Sequence, residues 1–132
     1  MAVKILAPSG AITPTGTWSV GARAGDFVFV AGMRGIDPKT NTLVEGEEAR
    51  VRQAFANMMH IAAAEGAGPA DCVRTVVYVT DMSRHRPLAN KVAEELWGKG
   101  PYPPRTILEI KALSQGDFFE IDGTFYAPLK RE

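Results

Sequence analysis

"CVRTVVYVT", residues 72–80, has the composition of a strand at the centre of a sheet. Val73, Thr75, Val77 and Val79 alternate with Arg74, Val76, Tyr78 and Thr80. Residues of β-branched and aromatic type dominate, so the run predicts a strand over 73–80. Before it, the segment 47–65 places Val51, Phe55, Met58, Met59 and Ala62 on one helical face. Glu47 and Glu48 suit the positive end of that helix, and Gly66 its stop. After the strand, "PLANKVAEELW" (87–97) predicts a second helix with Leu88, Ala89, Val92 and Leu96 inward, closing at Gly98.

Further outward, "KILAP" (4–8) predicts a short first strand, and "SGAITPTGTW" (9–18) is a loop rich in Gly, Pro and Thr. "WSVGARAGDFVFVAG" (18–32) predicts two strands around a turn at Ala24-Gly25-Asp26. Turn chemistry follows at Asp37-Pro38 and Thr40-Asn41. "RTILEIKAL" (105–113) and "DFFEIDGTFYAP" (117–128) predict a final strand pair joined through Ser114-Gln115-Gly116. The fold class expected is α+β, with one mixed sheet. Both crossovers being right-handed, the two helices share one of its faces.

That leaves an uncovered face, whose composition follows from the period of two. Leu108, Ile110, Phe119, Ile121 and Phe125 are expected beneath the helices. Val76, Tyr78, Ile107, Phe118 and Tyr126, with Arg74, Arg105, Glu109 and Glu120, are expected on the open side. Such a face is too apolar for water and too charged for a dry core, so it predicts contact between subunits.

The 132 residues suit a single domain, 1–132. Fifteen basic residues balance fifteen acidic ones, which gives no electrostatic case for nucleic acid or an anionic membrane. Nothing resembles a signal peptide, no run approaches the ~20 apolar residues of a membrane span, and Cys72 is the single cysteine. The expected location is cytoplasmic. The two histidines, His60 and His85, have no metal-ligand companion at useful spacing, so no metal is expected. "GARAG" lacks the lysine and following helix of a phosphate loop. Cys72 has no flanking base and reads as a small core residue.

Two residues carry chemistry. In "GPYPPRTILEI" (100–110), Pro101, Pro103 and Pro104 remove backbone freedom before Arg105. Its guanidinium fork matches a carboxylate in bidentate fashion. The alternative is a strand-end arginine paired with Glu109 or a surface acid. Glu120, between Phe119 and Ile121, is a carboxylate in an apolar strand that could position or deprotonate water. Its alternative is an interface salt bridge with Arg74 or with an arginine of a neighbouring chain.

"PYPPRTILEI" with "FFEIDGTFYA" resembles the C-terminal signature of the Rid family, also called YjgF or L-PSP. "FVFVAGMRGIDPKT", "RQAFANMMHIAAAEGAGPADCVRTVVYVTDM" and "NKVAEELWGKG" extend the likeness over nearly the whole chain. The resemblance implies a chorismate-mutase-like fold, a six-stranded sheet with two helices on one face, assembled as a homotrimer with clefts between subunits. It implies hydrolysis of reactive enamines and imines, such as 2-imino acids, to carbonyl compound and ammonia, with no cofactor. By resemblance Arg105 clamps the substrate carboxylate, Glu120 holds the hydrolytic water, Gly32 lines the pocket with its backbone, and Asn90 is a pocket asparagine. Ile107, Ala31 and Trp18 stand where the family more often has cysteine, serine and tyrosine. Arg34 adds a charge just after Gly32, which either meets a second anionic group of the substrate or stays a solvated loop charge. Two alternatives stand beside this reading. A cleft that has lost polar groups could hold a 2-keto acid as a sensor. RNA cleavage, a label of some relatives, has the neutral charge and the missing histidine pair against it.

Overall fold

The computed structural model describes residues 2–129. Its elements run β1 (Lys4–Leu6), β2 (Gly21–Ala24), β3 (Phe27–Met33), β4 (Ile36–Asp37), β5 (Thr42–Leu43), α1 (Glu47–Ala64), β6 (Cys72–Val79), α2 (Met82–Trp97), β7 (Arg105–Glu109) and β8 (Phe119–Tyr126). Six strands form one sheet in the order β1-β2-β3-β8-β6-β7, and β4 and β5 make a separate hairpin. Only β6 and β7 are parallel; β8 pairs antiparallel with both β3 and β6.

The first helix matches the periodicity of its sequence. Gly66 leaves it at a φ of 89°, and the N–H groups of Gly66 and Ala67 close on the carbonyls of Ala63 and Ala62. The second begins at Met82, ahead of the expected Pro87. The Asp81 carboxylate accepts from Arg84 N at 3.3 Å and from the Ser83 hydroxyl at 2.9 Å, and this cap starts the helix a turn early. Pro87 lies inside the helix rather than at its first position. The turn chemistry at 37–41 builds the β4–β5 hairpin, with Asn41 at a φ of 58°.

The core is shared by the sheet and α1. Val77, Val79, Phe119, Ile121 and Phe125 are buried beneath Val51, Phe55, Met58 and Ile61. Phe55 stacks on Phe119 at 5.9 Å and meets the Trp97 ring edge-on at 6.4 Å, so one side chain joins α1, the sheet and α2. Gly123 lets α1 approach β8 closely, because a Cβ there would lie 2.8 Å from the Met58 sulfur. Arg23, buried on β2, donates to Glu65 Oε1 and O, to Gly25 O and to Ala127 O. It thereby binds β2 and the turn after it to the end of α1 and to the residue that follows β8.

The open face of the sheet is apolar at many points. Phe29, Tyr126 and Leu108 are 46%, 46% and 43% exposed, and Val76, Tyr78 and Glu120 share that side as expected. The structure corrects the phase of β7. Arg105 pairs with Thr75, Ile107 with Val77 and Glu109 with Val79, all on the helix-covered side. Arg105, Ile107 and Glu109 therefore face the helices, and Leu108 faces outward. Ile107 packs against the core, and Glu109 accepts from Met82 N at the start of α2. β7 is an edge strand, so its inward groups reach the rim of the helix layer, where charged groups are tolerated; apolarity alone gave the wrong phase. Phe118 also turns away from the open face and stacks on His85 at 4.4 Å. No helix among the described residues is long and apolar enough to cross a membrane.

Phe119→Ala removes the ring on which Phe55 stacks and should lower the free energy of unfolding by about 3–5 kcal/mol. Urea titration measures this; a loss below about 1 kcal/mol would contradict the core position of Phe119.

Candidate functional site

The sequence-predicted residues gather in two clefts of the chain. The first lies between α2 and the β6–β7 edge and encloses about 410 Å³. Arg105 and Asn90 stand at it, over walls that include Phe55, Val77, Ala93, Trp97 and Tyr102. The second, of about 570 Å³, is lined by Trp18, Ala31, Gly32, Arg34, Gln115 and Glu120 among others. Ile107 lines neither cleft.

Arg105 is placed by its own ladder. Pro104 has no N–H to give, but its carbonyl accepts from Thr75 N at 2.9 Å, so pairing with β6 starts one residue before the arginine. The guanidinium then donates Nη1 to Asn90 Oδ1 on α2 at 2.7 Å. Among the described residues no carboxylate lies within ion-pair distance of it. Glu109, the partner considered from sequence, is engaged with Met82 N instead. Burial and the nearby Arg86 charge hold its pKa below the ordinary arginine value; a guanidinium stays charged through such a shift. Its remaining donors are available to an anion.

Glu120 sits against backbone. A Cβ on Gly32 would lie 2.5 Å from Glu120 Oε2, so only glycine leaves room for the carboxylate there. The β3–β8 register shifts between Val30 and Met33, and this irregularity brings Ala31 and Gly32 to the cleft wall. Arg74, the other partner considered, donates to Thr106 instead. No described base pairs with Glu120. Burial holds its carboxyl above the usual range; Arg34 opposes that, while Asp122 and Asp117 reinforce it.

Arg34 is neither free nor solvated. It donates to Asp117 Oδ2 at 3.0 Å, to Gln115 Oε1 at 2.8 Å and to Ser114 O at 3.2 Å. Asp117 is buried and also takes Arg50 at 3.2 Å and Phe118 N at 2.8 Å. Sequence reasoning missed Asp117, because an acid after a glycine in a loop looks solvated. It missed the aromatic cleft too, since Phe55 and Trp97 are core types and Tyr102 sits among prolines. Cys72 is partly buried, and burial pushes its thiol up to about 11, in keeping with a structural role. No group of three or more metal-ligating side chains exists among the described residues.

Arg105 and Glu120 do not meet within one chain. On β6, Arg105 is level with Thr75 and Glu120 with Tyr78, three positions apart and so on opposite faces. Their backbones are separated by about 10 Å across the ladder and about 10 Å along it.

A six-stranded mixed sheet with two helices on one face, bearing a guanidinium cleft and a carboxylate cleft, defines a protein of the chorismate-mutase-like, YjgF-like class. Residues 8–126 match the family model described as Endoribonuclease L-PSP, and the chain belongs to that family, the Rid or YjgF family. A Rhodopseudomonas palustris structure described as a probable translation initiation inhibitor is 58% identical. The match covers 97% of this chain and 100% of that one, with a TM-score of 0.94. RidA from an Antarctic Psychrobacter is 32% identical over 93% of this chain and 98% of its own, with a TM-score of 0.87. A 2-iminobutanoate/2-iminopropanoate deaminase of Dermatophagoides farinae is 28% identical, covering 90% and 92%.

The raised pKa of Glu120 fixes the sign of a pH effect. Protonated Glu120 favours the fold, and that contribution is full below the unfolded value and lost as pH rises through the folded one. Glu120→Gln, which is always neutral, should therefore be more stable than the parent at pH 7. The advantage should vanish on descending to about pH 4. Thermal unfolding against pH reads this; a variant less stable at pH 7 would contradict the desolvated carboxylate.

Proposed function

We propose that the protein is a hydrolytic deaminase of 2-imino acids and their enamine tautomers, releasing a 2-keto acid and ammonia. The observation that carries this is that one chain offers, in two separate clefts, a guanidinium at Arg105 engaged only by Asn90 and a desolvated carboxylate at Glu120 with no described base against it. Membership of the family and the name of the Dermatophagoides relative support the same reading. The whole chain acts as one domain, and no cofactor takes part.

The protonated imine needs little help. Its carboxylate takes the free donors of Arg105, with Asn90 fixing the fork, and this orientation removes much of the entropic barrier. Glu120 accepts a proton from water as the oxygen adds to the C=N carbon. The same carboxyl returns the proton to nitrogen and, as the C–N bond breaks and the C=O forms, takes the hydroxyl proton and passes it to the leaving ammonia, which departs as ammonium. A carboxyl raised toward the working pH is a better base than an ordinary one. Gly32 leaves space for that carboxylate, Trp18 and Ala31 shape its surroundings, and Ile107 gives an apolar backing behind Arg105. Arg34 acts as a fixed charge beside Glu120 rather than as an anion receptor, because Asp117 and Gln115 already hold it.

The opposite faces of Arg105 and Glu120 favour a site completed between copies of the chain. The exposed apolar sheet face offers the surface for such contact. A homotrimer meets both needs, with one copy's guanidinium cleft facing the next copy's carboxylate cleft. A cytoplasmic setting suits a reactive imine made and consumed in place. RNA cleavage has the chain's zero net charge against it. His60, on α1, contacts Ser9 O in the loop after β1, and His85 is buried on α2 against Phe118, so the two do not form an acid–base pair.

Imino acids generated in situ by an amino-acid oxidase should lose ammonia faster with the protein present. Arg105→Ala should lower kcat/KM by about 10²-fold, the worth of a charge-assisted fork. Glu120→Gln should lower kcat by about 10²-fold or more. Saturable keto-acid binding without turnover, lost in Arg105→Ala, would replace the deaminase by a sensor.

A further inference from the structure

The cleft beside Arg105 is larger than a carboxylate clamp requires, and its lining is mainly apolar, with Thr75 and Glu94 as the other polar groups beside Arg105 and Asn90. Its volume of about 410 Å³ falls within the roughly 300–1,000 Å³ of small-molecule sites. Its walls are fixed. The Trp97 indole donates Nε1 to Pro69 O at 2.8 Å, the Tyr102 hydroxyl donates to Gly98 O, and Phe55 braces Trp97 edge-on. Val77 closes the floor from the sheet, and Ala93 on α2 gives the space by being small. A three-carbon acid would leave most of this volume unfilled and its lining short of dispersion contacts.

We propose that the cleft between α2 and the β6–β7 edge is the side-chain pocket of the site, and that the acid held by Arg105 carries a bulky apolar group, aromatic or branched. This rests on the deaminase reading for its turnover but not for its binding. Charge complementarity sets the ligand's direction. The guanidinium, tied to Asn90 by one nitrogen, takes the carboxylate at the rim, and the apolar group lies inward between Trp97, Tyr102 and Val77. Ala93 and Trp97 are then the specificity-determining positions. A larger residue at 93 shortens the pocket, and the pinned indole at 97 supplies a flat wall for a ring.

The test has two readouts. Calorimetric titration of the unmodified protein compares pyruvate with phenylpyruvate and 4-methyl-2-oxopentanoate, the keto acids matching small, aromatic and branched imino acids. The larger two should bind at least about tenfold tighter, since each buried methylene adds several-fold. Turnover is then measured on the corresponding imino acids for the parent, Ala93→Trp and the milder Ala93→Leu. The ratio of kcat/KM for the phenyl substrate over the methyl substrate should fall about tenfold or more in Ala93→Trp and less in Ala93→Leu. Equal affinity for small and large keto acids would overturn the proposal, as would a ratio unmoved in both variants. If no imino acid is turned over, the deaminase reading fails, while the affinity order still decides the pocket.

Discussion

Everything of functional consequence in this chain hangs on the register of β6. Antiparallel to β8 on one side and parallel to β7 on the other, it aligns Thr75 with Arg105 and Tyr78 with Glu120. Alternation then sends the two charges to opposite faces. A one-residue slip of either neighbour would turn that strand's side chains over and expose part of the core. The same pairing holds α2 against the sheet, so the Arg105–Asn90 contact, the aromatic cleft and the covered face are one arrangement. The separation of the two charges is thus a property of the core.

Ionic contacts outside the ladder serve shape as much as charge. Arg23 ties the end of α1 to β2 and to the residue that follows β8 through carbonyl groups. Asp117, buried between Arg34 and Arg50, fixes the loop that roofs the Glu120 cleft. A buried carboxylate with two guanidiniums contributes little net stability against an apolar substitute, yet losing one member leaves a charge uncompensated. Its value here lies in position. Arg34 is held by Asp117, Gln115 and Ser114 where its field reaches Glu120, so the chain tempers a desolvated carboxylate without neutralising it through contact.

Much of this was legible in the sequence, and the failures have causes. Long periodic segments such as 47–65 and 73–80 declared themselves because burial on one face enforces their period. The start of α2 did not, since Asp81 caps it through a side chain while Pro87 mimics a first position. The phase of β7 was misread because an edge strand can turn a half-buried Ile107 and an exposed, charged Arg105 toward the helices and leave Leu108 exposed on the other side. Arg105 and Glu120 stood out in their local sequence and by resemblance, Asn90 and Gly32 by resemblance alone, and each of the four lines a cleft. Their distribution between two clefts was not legible, because it depends on registers that no local pattern encodes. Asp117 gave no signal at all: burial of an acid is decided by the two arginines that reach it from distant positions.

In the proposed deaminase, Arg105 of one copy works with Glu120 of another. Mixed oligomers of Arg105→Ala and Glu120→Gln, formed by co-expression and checked for both chains, test it through ammonia release. Each variant alone should be nearly inactive, while about one site in four becomes whole when the two mix at random in a closed ring, restoring a comparable share of parent activity. Mixed oligomers as inactive as the separate variants, beside an active parent, would contradict the account and place both groups in the service of a single chain.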